Sequence, residues 1–299
     1  MVKTIKIHEV GLRDGLQNEE VIVGFDRKLK WAELLSNTGI DYLQVGSFVN
    51  PKKVPQMSDS DNLFKELKKI KHKAILSGLV LNERGMDRAL DCGVELICLG
   101  VSASDTHSLK NSGMATEEAL NRIISMGKEL INKGNSVQVS IQSAFGCGFE
   151  GEISEEKVIK IATRYIDEGL FNISLADTAG HAYPEQVKRL YDAIKKMSAD
   201  TILTAHFHNT YGLGLTNCYA AIESGAEIIE TAFGGLGGCP FTKVAAGNVS
   251  TEDFVSALQR NQKRNDIMVD PIIDIAKESA SILGRSTESY VSKAGRIKY

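Results

Sequence analysis

Two histidines separated by one residue are the strongest candidates for chemistry in this chain. His206 and His208 end an apolar run that begins at Ile202 and has the composition of a buried strand. Alternate residues of a strand point to the same face, so both imidazoles are expected to project together from its carboxyl end. Two imidazoles on one face are suited to binding a divalent metal ion. The spacing alone leaves a second interpretation open, in which the histidines are unrelated residues at a strand end.

An arginine–aspartate pair follows the first predicted strand. Arg13 and Asp14 lie in the segment Gly11–Gln17, directly after the run Ile5–Val10. If the sheet closes into a barrel, strand one neighbours strand eight and lies close to strand seven, so Asp14 can complete a metal site with the two histidines. Arg13 adds a fixed cation suited to an enolate or a carboxylate. Taken alone, the pair also fits an ordinary surface turn.

A glycine-rich segment follows the last predicted strand. It runs from Gly234 to Pro240 and includes Cys239. So many glycines stabilise neither helix nor strand, and they suit a mobile loop that closes over a substrate and carries Cys239 towards the reacting carbons. Asn248, just beyond, offers a carbonyl oxygen of the kind that hard cations accept. The alternative is a flexible surface loop with an incidental cysteine.

One further carboxylate ends a predicted strand. Asp177 closes the sixth strand, where a side chain is expected to point into the mouth of a barrel. The alternative role is that of an N-cap for the helix that follows.

Short β-rich runs alternate with amphipathic stretches along the whole chain. The predicted strands are Ile5–Val10, Tyr42–Val45, Ala74–Leu79, Leu96–Val101, Val137–Gln142, Asn172–Leu175, Ile202–His208 and Ile228–Thr231. Predicted helices include Arg27–Asn37, Glu155–Glu168 and Pro184–Lys196. This alternation predicts an α/β fold with a parallel sheet, either open or closed. Eight units, with reactive residues after several different strands, favour a closed (β/α)8 TIM barrel. We expect residues 1–264 to form the catalytic barrel and residues 265–299 a short helical extension packed on it.

The composition excludes several classes of function. The net charge of −3 supplies no basic field for nucleic acid or anionic membranes. Five cysteines without a closely spaced pair indicate a reducing compartment. No apolar run reaches membrane-spanning length and no leader precedes the first strand, so a cytoplasmic protein is expected.

At the residues described above, the chain resembles the hydroxymethylglutaryl-CoA lyase family. The matching segments are Gly11–Glu19, Ser47–Val49 with Pro51 and Val54–Met57, Ser174–Thr178, His206–Gly212 and Gly235–Pro240. The glycine segment with its Cys-Pro is specific for this lyase branch. The Arg13–Asp14 pair and the pair of His206 and His208 are shared with related Claisen-type enzymes such as isopropylmalate synthases. The resemblance implies cleavage of (S)-3-hydroxy-3-methylglutaryl-CoA to acetyl-CoA and acetoacetate.

The resemblance also implies a role for each site residue. Mg2+ or Mn2+ would be held by Asp14, His206, His208 and Asn248. The implied catalytic residues are Arg13, Cys239, Asp177 and His206. The residues expected to contact substrate are Arg13, Gln17 and Gln44, together with Asn111, which is chosen for its place after strand four and not through the resemblance. Either Cys239 or His206 could protonate the enolate, and the residues do not decide between them. The implied partners are a small acyl-CoA substrate and a second copy of the chain in a homodimer.

One position departs from the family pattern. The end of strand two usually carries a glutamate in the family, whereas this chain has Gln44. Glutamine can keep a hydrogen bond to Arg13 but brings no negative charge. The alternatives are therefore a related lyase or Claisen condensing enzyme acting on a different 3-hydroxyacyl-CoA, and a catalytically silent acyl-CoA-binding barrel. Regulated synthases carry a long C-terminal regulatory domain, and because this sequence stops at Tyr299 we do not expect it to be one of them.

Overall fold

Eight parallel strands close into a barrel. The computed structural model describes residues 5–238 and 246–297. The strands are β1 (Lys6–Glu9), β2 (Tyr42–Ser47), β3 (Ile75–Leu79), β4 (Leu96–Ser102), β5 (Ser136–Gln142), β6 (Asn172–Asp177), β7 (Ile202–Phe207) and β8 (Ile228–Thr231). Each strand pairs with the next in sequence, and β1 pairs with β8. The prediction of a closed (β/α)8 barrel is confirmed, and the strand bounds differ from the predicted ones by at most two residues.

Helices surround the barrel. Within the described ranges they are α1 (Phe25–Ser36), α2 (Ser60–Leu67), α3 (Glu83–Cys92), α4 (Asp105–Ser112), α5 (Thr116–Asn132), α6 (Glu155–Asp167), α7 (Pro184–Met197), α8 (Gly214–Glu223), α9 (Thr251–Arg260), α10 (Val269–Leu283) and α11 (Tyr290–Ala294). Local sequence explains several of their ends. Ser154 caps α6 by accepting a hydrogen bond from the amide of Lys157, and Pro184 opens α7. Gly93 ends α3 in the left-handed conformation, which glycine adopts without steric cost. None of the described helices is long and apolar enough to cross a membrane.

The strands have one polar face and one apolar face. Side chains such as His8, Gln138 and Thr204 are buried and point into the barrel, where the amide of Gln138 donates to the Thr204 hydroxyl at 3.1 Å. Their neighbours along each strand, such as Ile7 and Ala205, pack outwards in the apolar core beneath the helices. The alternation leaves a polar interior that opens at the carboxyl ends of the strands.

The last two helices pack against the outside of the barrel. The indole nitrogen of Trp31, on α1, donates to Glu278, on α10, at 2.7 Å. Asp253, on α9, accepts hydrogen bonds from the backbone amides of Tyr290 and Val291 at 2.9 and 2.7 Å, which fixes the start of α11. The division of the chain near residue 264 stays a prediction.

Candidate metal centre and active site

Asp14, His206 and His208 form one compact cluster at the open end of the barrel. The two histidine Nε2 atoms lie 3.2 Å apart. The Oδ2 atom of Asp14 lies 3.6 Å from Nε2 of His208 and 3.9 Å from Nε2 of His206. All three residues are less than 10% exposed. Among the described residues, this is the one group of three or more acidic, histidine or cysteine side chains whose ligand atoms could meet a single ion.

Separate elements hold the cluster. His206 lies in β7 and His208 follows its end, so strand alternation directs both rings inward. Asp14 lies in a π-helical turn, Gly11–Gly15, that follows β1. The carbonyl oxygen of Val10 accepts from the amides of the turn, including that of Asp14 at 2.8 Å. In the closed barrel β8 pairs with both β1 and β7, so the turn after β1 lies close to the end of β7.

The donor set fits a divalent cation. Burial alone would raise the pKa of Asp14, but the charge of Arg13 and the neighbouring histidines hold that pKa well below its usual value. An ionised carboxylate oxygen and two imidazole nitrogens are ligands that several divalent metals accept, and geometry alone does not select one of them.

A buried carboxylate that belongs to none of the sequence motifs orients His206. Nδ1 of His206 lies 2.9 Å from Oε2 of Glu230, which directs Nε2 of the same ring towards the cluster. Glu230 also lies 3.4 Å from Nδ1 of His8. Burial opposes ionisation of Glu230, yet its hydrogen bonds to His206 and His8 bring its pKa below the usual range. The sequence feature that could have indicated Glu230 is its place as the one charged residue in the buried strand β8.

Replacing Glu230 by glutamine tests this orienting role. The amide keeps the shape but cannot act as a charged acceptor for His206, so the ring is held less firmly and is a weaker base. We expect affinity for Mn2+ to fall by about 10–100-fold, as is typical of outer partners of metal ligands. Calorimetric titration of the variant and the wild type with Mn2+ measures this. Unchanged affinity would show that Glu230 only fills space.

Asn248 reaches the cluster with its amide nitrogen. Nδ2 donates to Oδ2 of Asp14 at 2.8 Å and to the carbonyl oxygen of Leu236 at 2.9 Å. Its buried Oδ1 has no hydrogen-bond partner among the described residues. The side-chain oxygen would face an ion held by the cluster only if the amide group were rotated by 180°. The role of Asn248 as a metal ligand therefore stays a prediction.

Arg13 lies beside the cluster and lines a cavity of about 500 Å³. Its Nη1 atom donates to Oδ1 of Asp14 at 2.6 Å, and its Nε atom donates to Oε1 of Gln44. Gln17 donates to the same Asp14 oxygen at 3.2 Å. Two protein acceptors therefore fix the guanidinium within the cavity.

The fourth residue predicted to contact substrate also lines this cavity. Asn111, on α4, lines it, and its amide nitrogen is 3.4 Å from Oε1 of Gln142. Cys98, which also belongs to none of the sequence motifs, lines the same cavity from β4. Burial, with a contribution from the nearby charge of Glu230, raises the pKa of its thiol to about 12. A thiol with this pKa stays protonated and is not a nucleophile.

Asp177 does not point into the mouth of the barrel, and that expectation is wrong. Its neighbour Ala176 pairs with His206 across β6 and β7 and lines the cavity, so Asp177 points outward, as Phe207 does. The carboxylate is fully buried and accepts hydrogen bonds from the amides of His181 and Ala182 at 2.8 and 3.1 Å. Burial raises its pKa. These hydrogen bonds hold the loop before α7, and the implied role of Asp177 in proton transfer stays a prediction.

The described part of the glycine-rich segment packs directly on the cluster. Gly237 has φ of 101°, and a Cβ there would lie 2.5 Å from Nδ2 of Asn248. Only glycine fits this approach without moving Asn248. Cys239 and Pro240 lie outside the described residues, so the predicted role of Cys239 stays a prediction.

Known proteins resemble the chain over almost its whole length. The HMGL-like family model matches residues 4–278. The hydroxymethylglutaryl-CoA lyase of Bacillus subtilis is 32% identical over 96% of this chain and 96% of its own. A lyase of Pseudomonas aeruginosa, named for both 3-hydroxy-3-isohexenylglutaryl-CoA and hydroxymethylglutaryl-CoA, is 32% identical over 98% of this chain and 97% of its own.

A solved structure is similar to this chain in the same way. An HMG-CoA lyase of A. baumannii, in complex with coenzyme A and 3-methylmalate, superposes with a TM-score of 0.91 at 38% identity and covers 98% of this chain and 95% of its own. The chain therefore belongs to the HMGL-like family, a family of divalent-metal-dependent lyases.

Proposed function

We propose that this protein cleaves (S)-3-hydroxy-3-methylglutaryl-CoA to acetyl-CoA and acetoacetate with the help of Mg2+ or Mn2+. The observation that carries the proposal is the position of Arg13 in one cavity with the cluster of Asp14, His206 and His208. A metal site beside a fixed cation meets the two electrostatic demands of this cleavage.

The reaction makes two such demands. The hydroxyl proton on C3 must leave, the bond between C2 and C3 breaks, and its electron pair moves into the thioester as an enolate. A bound divalent ion would lower the pKa of the hydroxyl and offset its negative charge. The guanidinium of Arg13 would stabilise the enolate oxygen through charge-assisted hydrogen bonds. The enolate then takes up a proton to give acetyl-CoA, and Cys239 and His206 are the candidate donors.

A second candidate is a lyase for a different 3-hydroxyacyl-CoA. The observation that favours it is the neutral Gln44 beside Arg13. A relative at 32% identity, from P. aeruginosa, is named for two acyl groups, one of them other than hydroxymethylglutaryl. The homodimer, the cytoplasmic location and the absence of a nucleic-acid partner stay predictions from the sequence.

Steady-state cleavage of a panel of 3-hydroxyacyl-CoA thioesters tests the proposal. We expect turnover of hydroxymethylglutaryl-CoA that is lost with EDTA and returns with added Mg2+ or Mn2+. Preference for another thioester in the panel would favour the second candidate. Binding of the thioesters without cleavage of any of them would indicate a silent acyl-CoA-binding barrel.

Replacing Gln44 by glutamate tests whether the neutral amide matters. A carboxylate would bind the Arg13 side chain through a charge-assisted bond and orient it more firmly, so turnover should be kept or raised. The measurement is turnover of both proteins on hydroxymethylglutaryl-CoA at saturating Mg2+. A fall of about tenfold or more, equivalent to about 1.4 kcal/mol of barrier, would contradict the orienting role. It would mean that the carboxylate competes with the enolate for Arg13.

A further inference from the structure

Glu9 is a buried carboxylate that takes no part in the chemistry described above. It ends β1, has no exposed surface and does not line the cavity. Its neighbour His8 points into the barrel, so strand alternation directs Glu9 outward, behind the loops that carry the site.

Three segments donate hydrogen bonds to this one side chain. Oε1 accepts from the amide of Gly11 at 2.6 Å and from the amide of Phe233 at 3.1 Å. Oε2 accepts from the hydroxyl of Thr251. The hydroxyl of Thr251 also lies 2.7 Å from that of Thr231, at the end of β8.

Each donor lies next to a part of the active site. Gly11 begins the turn that carries Arg13 and Asp14. Phe233 begins the segment that leads through Gly237 to the Asn248 contact. Thr251 opens α9, three residues after Asn248.

The packing leaves this arrangement little freedom. A Cβ on Gly11 would lie 2.6 Å from Oε1 of Glu9 and 2.5 Å from the ring of Phe233. The turn, the ring and the carboxyl group are therefore in close contact, and a displacement of one requires a displacement of the others.

We propose that Glu9 is a positioning residue, which holds the turn of Asp14 and the segments around Asn248 in the register that the metal centre needs. The inference rests on the metal centre of the proposed function. The role of Glu9 depends on the reach of the side chain, because an uncharged acceptor of the same length can accept from the same three neutral donors.

Two conservative variants separate the effect of the length of the Glu9 side chain from the effect of its ability to ionise. Glu9→Gln keeps the length and an acceptor oxygen for the two amides but cannot ionise. Glu9→Asp keeps a carboxyl group but withdraws it by one methylene, so it cannot meet all three donors. Asp253→Asn is the matched control, because Asp253 is also a buried carboxylate with three donors, all of them in the segment that starts α11.

The experiment titrates each folded protein with Mn2+ alone and follows amide hydrogen exchange at Gly11 and Phe233. We expect Glu9→Asp to bind Mn2+ about 10–100-fold more weakly and to exchange both amides faster. Glu9→Gln and Asp253→Asn should keep wild-type affinity. Wild-type affinity in Glu9→Asp, a larger loss in Glu9→Gln than in Glu9→Asp, or an equal loss in Asp253→Asn would each overturn the inference, as would a wild-type protein that binds no Mn2+.

Cleavage of hydroxymethylglutaryl-CoA by the wild type is measured on the same preparation. A wild type that binds Mn2+ without cleaving this thioester contradicts the proposed function and leaves the Mn2+ comparison valid. A wild type that cleaves it while Glu9→Asp binds Mn2+ normally contradicts only the role of Glu9.

Discussion

Replacing His208 by alanine is expected to abolish metal-dependent turnover while the barrel stays folded. The ring lies within 3.6 Å of Asp14 and 3.2 Å of His206, so its loss removes one of three clustered ligands. A metal ion contributes several kcal/mol to charge stabilisation in a reaction of this kind, so the rate should fall by at least about 100-fold. The measurements are Mn2+ affinity by titration calorimetry and turnover of hydroxymethylglutaryl-CoA at saturating metal.

His72→Ala is the matched control for this variant. His72 bonds to the carbonyl oxygen of Ala74 at 3.0 Å, just before β3, and belongs to no part of the site. We expect it to keep both metal affinity and turnover. A His208→Ala protein that is folded and binds Mn2+ as tightly as the wild type would show that the ligand assignment is incorrect.

The barrel could be predicted because every one of its units carries a local signal. The runs that became β6 and β7 are apolar and short, and Pro184 and Ser154 mark helix starts at the expected distance. The relation of His206 to His208 needed only strand alternation. Barrel closure then placed Asp14 beside them, so the fold and the metal cluster could be inferred together.

The direction of Asp177 could not be derived in the same way. Its neighbours Leu175 and Ala176 are both apolar, so the sequence does not reveal which of them faces the barrel interior. The pairing of Ala176 with His206 settles this, and it is a property of the closed sheet rather than of one strand. A prediction from the strand end alone therefore had no basis for choosing the inward face.

The two supporting carboxylates escaped prediction for a related reason. Glu230 acts on His206 across a pair of neighbouring strands, and Glu9 meets Thr251, which is 242 residues away in sequence. Neither contact can be recognised from a local sequence motif, because its two residues are far apart in the chain. A charged residue inside a buried strand is the one signal available, and it shows that a partner must exist without identifying it.

Replacing Arg13 by lysine should lower turnover by about 10²–10³-fold with a small change in KM. Arg13 uses Nε towards Gln44 and Nη1 towards Asp14, so its guanidinium plane is held by two acceptors on different sides. A lysine keeps the positive charge, but its single ammonium group cannot meet both acceptors and still present a donor in the same plane. The charge that stabilises the enolate would thus remain in the cavity but lose its orientation.

The ratio of the two kinetic constants decides what Arg13 does. An interaction made mainly in the transition state lowers kcat when it is lost, whereas one made equally with bound substrate raises KM. Arg88→Lys supplies the control, because Arg88 binds Asp61 through two nitrogens and does not line the cavity. It should leave both constants unchanged, which would show that the loss of a bidentate arginine elsewhere in the barrel has no effect on the reaction. A large rise in KM for Arg13→Lys with kcat retained would instead make Arg13 a residue that only binds the thioester. The enolate would then need a different stabilising group.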